Sequence, residues 1–293
     1  MSIFHALPRP TPTFHSTTYP RISTHDTFRA TGKTILITGG ASGIGLSIAH
    51  AFASTGVARI ALVSRTPSTL ASAKASLSTT YPDVQILTFA ADITDTTSMT
   101  SIFTSLQTID VLVLSAATIH PRLPATDLPA TDVQSAFAVN TLTTFTLTQA
   151  YLALPTPEGG RKTLISISSA AAQVQGTRRA GYGASKAAAA QVLQHFAAEM
   201  MITEGGEEDD VRLFSMHPGA FWTAASGSGG FKRDEVVWDD LSLPGDFAVW
   251  LAGEESRFLS GRFVWANWDV DELIALEGRV RADKAFLTIG LVL

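Results

Sequence analysis

Tyr182 and Lys186 stand four positions apart, and Ser169 lies thirteen positions before the tyrosine. On a helix an i, i+4 pair shares one face, close enough for an ammonium to act on a phenol. An adjacent cation favours the phenolate and draws a tyrosine pKa down from about 10 toward neutrality. A phenol tuned in that way can exchange a proton with a carbonyl oxygen. Alone the pair is a weak signal, because any helix can carry a surface tyrosine and a solvated lysine at that spacing.

A second group of residues supplies what carbonyl chemistry needs. The β-branched run Lys33-Thr34-Ile35-Leu36-Ile37-Thr38 predicts a strand, and Gly39-Gly40-Ala41-Ser42-Gly43-Ile44-Gly45 follows it directly. From Leu46 to Ala53 apolar residues recur at three- and four-residue spacing, which predicts a helix. A strand, a glycine-rich turn and a helix start make a dinucleotide site. The glycines admit the pyrophosphate, and the free N–H groups at the helix N-terminus hold its charge. Gly39, Gly43 and Gly45 follow a G-x-x-x-G-x-G spacing rather than the commoner G-x-G-x-x-G.

Further strands are predicted over 58–64, 84–90, 110–115, 164–168, 211–217 and 261–266, with helical stretches between most of them, most clearly 184–201. Alternating strands and helices indicate a parallel sheet with ligands at the strands' C-terminal ends. The cofactor can be argued from the second strand's end. An acid there would accept from ribose hydroxyls, but this chain has Ser64 and Arg65. A guanidinium pairs with a phosphate bidentately, and Ser42 would add a hydroxyl, so NADP(H) is expected over NAD(H).

With these motifs in order, the chain from about Thr31 to Asn267 resembles the short-chain dehydrogenase/reductase family. The resemblance rests on Thr38-Gly39-Gly40-Ala41-Ser42-Gly43-Ile44-Gly45, Asp92, Asn140, Ser169, Tyr182 with Lys186, and Pro218-Gly219 with Thr223. It implies an α/β, doubly wound Rossmann fold with seven parallel strands in the order 3-2-1-4-5-6-7. It also implies roles. Tyr182 would donate a proton to a ketone oxygen or take one from a secondary alcohol. Lys186 would lower the phenol's pKa and hold the nicotinamide ribose, and Ser169 would bond the reacting oxygen. Ser168 competes for that serine role, but the spacing favours Ser169. Asn140 would hold a water linking Lys186 to solvent. Asp92 and Ile93 would meet the adenine; otherwise Asp92 caps the helix after Thr94. Pro218, Gly219, Phe221 and Thr223 would fix the nicotinamide end. In the family, Asn-Asn-Ala-Gly commonly follows the fourth strand. Leu114-Ser115-Ala116-Ala117 replaces it here, so bracing beside the cofactor must come from elsewhere.

Other readings bound the function. At 293 residues and 45% hydrophobic content the chain can bury one large core, and a net charge of −5 leaves no basic footprint for nucleic acid. Cysteine is absent and the histidines are scattered, which removes disulfides and gives no metal-ligand spacing. The stretch 133–157 carries no charge, yet Asn140, Gln134, Gln149 and several threonines argue for a buried helix rather than a membrane span. The resemblance packs that helix in a homodimer or homotetramer. With no continuous apolar stretch for secretion, a cytoplasmic location is expected. The acidic run 204–210 reads as a solvated loop.

Residues 1–30, rich in proline, serine and threonine, read as an arm that is extended over the domain or disordered. Residues 31–293 then form a single domain, with a substrate lid at 221–243 and a C-terminal extension over 268–293. In the lid, Ser226-Gly227-Ser228-Gly229-Gly230 is flanked by Phe221, Trp222, Phe231 and Trp238. Either the lid closes on an apolar or aromatic ketone, with Trp222 in contact, or it is a surface loop with its aromatics packed away. His120 would face the substrate or cap a loop. The tail 286–293 is expected to dock on its own subunit or a neighbour. Thr18-Tyr19-Pro20 and the ending from Phe263 to Leu273 resemble a fungal branch of the family found among secondary-metabolite and general reductases. Two alternatives stay open: a non-redox enzyme using the same tyrosine, and a cofactor sensor without turnover.

Overall fold

The β-branched runs become one parallel sheet. The computed structural model describes residues 7–157, 161–200, 211–223, 226–227, 230, 232–234 and 236–290. Its strands are β1 (Thr34–Thr38), β2 (Arg59–Ser64), β3 (Gln85–Ala90), β4 (Val111–Leu114), β5 (Lys162–Ile167), β6 (Val211–His217) and β7 (Phe263–Trp265). They lie in the order β3-β2-β1-β4-β5-β6-β7, the doubly wound arrangement expected from the sequence. Every residue of β1, β4 and β5 is buried, and none of these strands shows the alternation of a half-solvated strand, β4 being wholly apolar.

The main helices are α1 (Pro20–Ser23), α2 (Gly43–Ser54), α3 (Pro67–Thr80), α4 (Thr96–Leu106), α5 (Ala130–Phe137), α6 (Thr143–Ala153), α7 (Ala180–Met200) and α8 (Ser242–Ala252). Successive strand residues face opposite layers. Ile35 and Ile37 therefore join a core with Phe52 and Trp250, while Leu36 joins another with Phe103 and Tyr151. The β7 edge is covered by the tail, because the Phe263 N–H donates to the Leu287 carbonyl at 2.7 Å. Phe286, Leu287 and Ile289 also pack on the first core, so the tail docks on its own subunit up to residue 290. Its last residues, 291–293, and the acidic run 204–210 lie outside the described residues.

One expectation changes. The uncharged stretch is two helices, α5 and α6, joined by a π-helical turn over Ala138–Leu142. It is not wholly buried, since Phe137, Leu142 and Phe145 remain exposed. The arm, described from residue 7, is ordered over the C-terminal elements. His15 N–H donates to the Asn267 carbonyl at 2.8 Å, and the Tyr19 hydroxyl accepts from Val270 N–H at 3.0 Å. Arg21 pairs with Glu255 at 2.7 Å and Asp271 at 2.8 Å. No helix is long and apolar enough to cross a membrane among the described residues.

Candidate active site

The glycine-rich turn delivers β1 into α2 at the C-terminal end of the sheet. Gly39 takes a φ of 67°, and a Cβ there would lie 2.8 Å from the Ala116 nitrogen, so only glycine lets the turn approach that strand end. Ser42 caps α2 with extended backbone and spends its hydroxyl on no capping bond. Ile44 and Gly45 form the first turn, whose N–H groups have no earlier helical carbonyl to bond. Across a gap, the Thr223 methyl lies 3.5 Å from where a Gly43 Cβ would sit, bringing the loop after β6 to face the turn. This cradle of glycines, a helix N-terminus and an uncommitted hydroxyl fits a dinucleotide pyrophosphate.

At the end of β2, Ser64 is partly exposed and the Arg65 side chain is 80% exposed. Arg65 Nη1 stands 4.0 Å from Asp92 Oδ2. Asp92 accepts from the Thr94 N–H at 2.9 Å and the Thr94 hydroxyl at 2.7 Å, and these bonds hold its carboxyl below the usual range. It is thus a turn residue. The cap of α4 is Asp95, which accepts from Thr97 and Ser98 N–H groups. Ile93 turns inward to the second core.

Ser169 and Tyr182 meet from two elements. Ser169 follows β5, and its hydroxyl accepts from the Ala171 N–H at 3.2 Å at the start of a short 3₁₀ turn. Tyr182 lies in the first turn of α7, with its phenol near enough to the Ser169 side chain for that hydroxyl to favour the phenolate. Both are partly exposed, whereas Ser168 is buried with its hydroxyl unbonded, which removes it as the competing serine. Lys186, one turn on and 5% exposed, donates from Nζ to the Ile167 carbonyl at 2.7 Å. Burial brings its pKa down to about 8.

The phenol departs from the expected direction. Burial pushes Tyr182 above the ordinary tyrosine value, opposed by the Ser169 hydroxyl and by the positive charge of Arg179. Arg179, just before α7, is a cation that the Tyr-x-x-x-Lys pattern gave no means to find. Asn140 sits in the π turn, and its side chain accepts from Thr118 N–H at 2.9 Å and donates to the Thr118 carbonyl and Ser185 hydroxyl, each at 3.0 Å. The extra residue of such a turn re-aims a side chain, here to lock the loop after β4 onto α7.

Two histidines accept from backbone amides at Tyr182 and beside Ser169. His120 is buried; its Nδ1 is 2.7 Å from the Pro121 carbonyl, and its Nε2 accepts from the Tyr182 N–H at 3.0 Å. It satisfies one of the orphan amides at the start of α7 rather than facing the substrate. His217, at the end of β6, accepts on Nδ1 from the Ala170 N–H at 3.1 Å, and burial drops its pKa to about 3, which keeps it neutral. Bracing beside the glycine turn comes from Thr38, whose hydroxyl accepts from Ser115 N–H at 3.1 Å and Ala116 N–H at 3.3 Å. That replaces what the missing asparagines would do.

Beyond β6, Pro218 and Gly219 turn the chain, and Phe221 is buried against Gly219. Trp222 is partly exposed and packs edge-on to Trp238 with ring centroids 5.7 Å apart. Thr223 and Ser226 close a small turn through a 2.7 Å bond from the Thr223 N–H. Ser228, Gly229 and Phe231, read as lid residues, lie outside the described residues.

Residues 33–230 match the family model described as short chain dehydrogenase. The chain is similar to the short chain dehydrogenase/reductase nsrO of Aspergillus novofumigatus, 56% identical over 292 residues that cover 100% of both chains. Short chain dehydrogenase/reductase AacuD of Aspergillus aculeatus matches to the same extent, 56% over 292 residues and 100% of both. A solved 7α-hydroxysteroid dehydrogenase, complexed with NADH and 7-oxo glycochenodeoxycholic acid, superposes with a TM-score of 0.71 at 22% identity. That match covers 85% of this chain and 97% of the other, and at this identity it speaks for the fold.

Proposed function

The chain belongs to the short chain dehydrogenase/reductase family, with fungal relatives along its whole length, and on that premise we propose that it interconverts a ketone and a secondary alcohol with NADP(H). The observation that carries this reading is the convergence of Ser169 after β5, Tyr182 in the first turn of α7 and the buried Lys186 bonded to the Ile167 carbonyl, at the same end of the sheet as the glycine cradle. A nicotinamide cofactor supplies or accepts the hydride at the carbonyl carbon.

The chain's own residues do the rest. The glycine turn and the N–H groups of α2 bind the pyrophosphate, with Pro218, Gly219, Phe221 and Thr223 bordering the nicotinamide end. Ser169 donates to the carbonyl oxygen and stabilises the charge that grows there. Tyr182 gives its phenolic proton to that oxygen in reduction and recovers one in the reverse direction. Lys186 holds the nicotinamide ribose and favours the phenolate. Because the Asn140 side chain is spent on Thr118 and Ser185, its main-chain carbonyl takes the role of holding the water that reprotonates Lys186. Arg65 and Ser42, exposed and uncommitted respectively, select the 2′-phosphate. His120 serves by seating Tyr182, and Trp222 borders the substrate. Residues 1–30 act as an arm on one domain, and the protein works as a homodimer or homotetramer.

The test is consumption of NADPH against a panel of aliphatic, aromatic and quinone-like ketones, with the alcohol product identified. Silence across the panel despite saturable NADPH binding would move the assignment to non-redox chemistry or to sensing.

A further inference from the structure

The arm, the lid and the C-terminal extension meet at a buried polar knot that the chemistry above does not use. Asp239, 7% exposed, lies at the far end of the lid segment, and Asn267, fully buried, follows β7. Asp239 Oδ2 accepts from the Ala220 N–H at 2.8 Å and from Asn267 Nδ2 at 3.2 Å. The Asp239 N–H in turn donates to the Ala220 carbonyl at 2.7 Å, so Ala220 is held on both sides. Asn267 Nδ2 also donates to the His15 carbonyl at 2.8 Å. The arm closes the ring, since His15 N–H donates to the Asn267 carbonyl and Asp240 N–H to the Ser16 carbonyl, each at 2.8 Å.

Burial pushes the Asp239 carboxyl up, and the Ala220 and Asn267 bonds pull it back down. A carboxylate taken out of water is costly, and here Oδ2 collects the Ala220 and Asn267 donors while Oδ1 is buried without a hydrogen-bond partner. The same carboxylate explains Gly219. A Cβ there would lie 2.8 Å from Asp239 Oδ2, on backbone at φ 113° that other residues rarely adopt. The loop is therefore shaped around Asp239.

We propose that Asp239 and Asn267 are positioning residues that hold loop 218–221 in its cofactor-binding shape, and that the amino-terminal arm clamps the pair. This rests on the reading of that loop as the border of the nicotinamide end. The arm then acts on cofactor affinity from outside the site, and truncating the Asn267 side chain removes its bonds to the His15 carbonyl and to Asp239.

The experiment compares wild type with Asn267→Ala, Asp239→Ala and Asp239→Asn in the full chain. It follows NADPH affinity by calorimetry and amide exchange over 218–223 by mass spectrometry, with thermal melts to show that each variant is folded. Asn267→Ala and Asp239→Ala are expected to speed exchange in the loop and weaken NADPH binding about tenfold, the effect of losing one charge-assisted bond. Asp239→Asn keeps an oxygen for the Ala220 N–H and should restore most of the affinity. If Asp239→Ala does not fold, Asn267→Ala and Asp239→Asn carry the comparison. Unchanged exchange, or faster exchange with unchanged affinity, overturns the proposal while the cofactor reading stands. A wild type that binds neither NADPH nor NADH sinks the cofactor reading and the proposal with it.

Discussion

A buried ammonium at Lys186 is a stability cost, which the proposed chemistry would explain. Its only protein acceptor among the described hydrogen bonds is the Ile167 carbonyl at 2.7 Å, and burial lowers its pKa from 10.5 to about 8. Between pH 8 and 10.5 the unfolded chain therefore binds more protons than the folded one, and stability rises with pH across that window. Below pH 8 the whole penalty is present. Lys186→Met should stabilise the ligand-free fold at pH 7, by no more than about 3 kcal/mol, and abolish turnover. Thermal melts at pH 7 and pH 10 check this, and the gain should shrink at the higher pH. An equal or lower melting temperature at pH 7 would mean that the Ile167 bond outweighs the burial.

Among the elements, the end of β2 is where the proposed preference for NADP(H) is open to test. Arg65 is mostly exposed and only loosely paired with Asp92 at 4.0 Å, so its guanidinium is available to a phosphate. Arg65→Ala should weaken NADPH about tenfold while leaving NADH within about twofold, as read by parallel titrations. Equal losses for both would mean that Arg65 does not read the 2′-phosphate. This part of the site was legible in the sequence because Ser64 and Arg65 adjoin a strong strand pattern. The same holds for the glycine turn and for Tyr182 with Lys186, where chemistry and local structure share one short segment. His120 was not legible, because its bond to the Tyr182 N–H spans sixty-two positions and only the fold brings the two together. Asp92's alternative reading as a cap failed for a local reason: both Asp92 and Asp95 can take a turn or a cap, and the helix starts at Thr96 with Asp95 as its cap. Nor could the uncharged pattern over 133–157 reveal the π turn, since one inserted residue barely alters the periodicity of a stretch that mixes apolar residues with threonines and amides.

For the whole molecule, the α5–α6 face stays apolar and uncovered. Phe137 is 37% exposed, Leu142 59% and Phe145 41%, with Phe196 packed beside Phe145 at 5.4 Å. Such a patch suits a partner copy of the chain. Leu142→Glu should shift a dimer or tetramer toward smaller species in sedimentation velocity without changing the melting curve of the subunit by more than a few degrees. A monomeric wild type would contradict that. At the same scale the arm was only half legible. Its prolines argued against a long helix, and only the one-turn α1 forms there, but its partners Asn267, Val270, Glu255 and Asp271 lie more than two hundred positions away and give no local signal.

The central claim is that Tyr182 is the proton donor of a carbonyl reduction. The measurement that tests it most directly is the rate of NADPH oxidation with a reactive ketone by wild type and Tyr182→Phe, alongside NADPH affinity for both. The account predicts unchanged affinity and a rate reduced roughly 10²–10⁴-fold in the variant. Equal rates in the two proteins would contradict it.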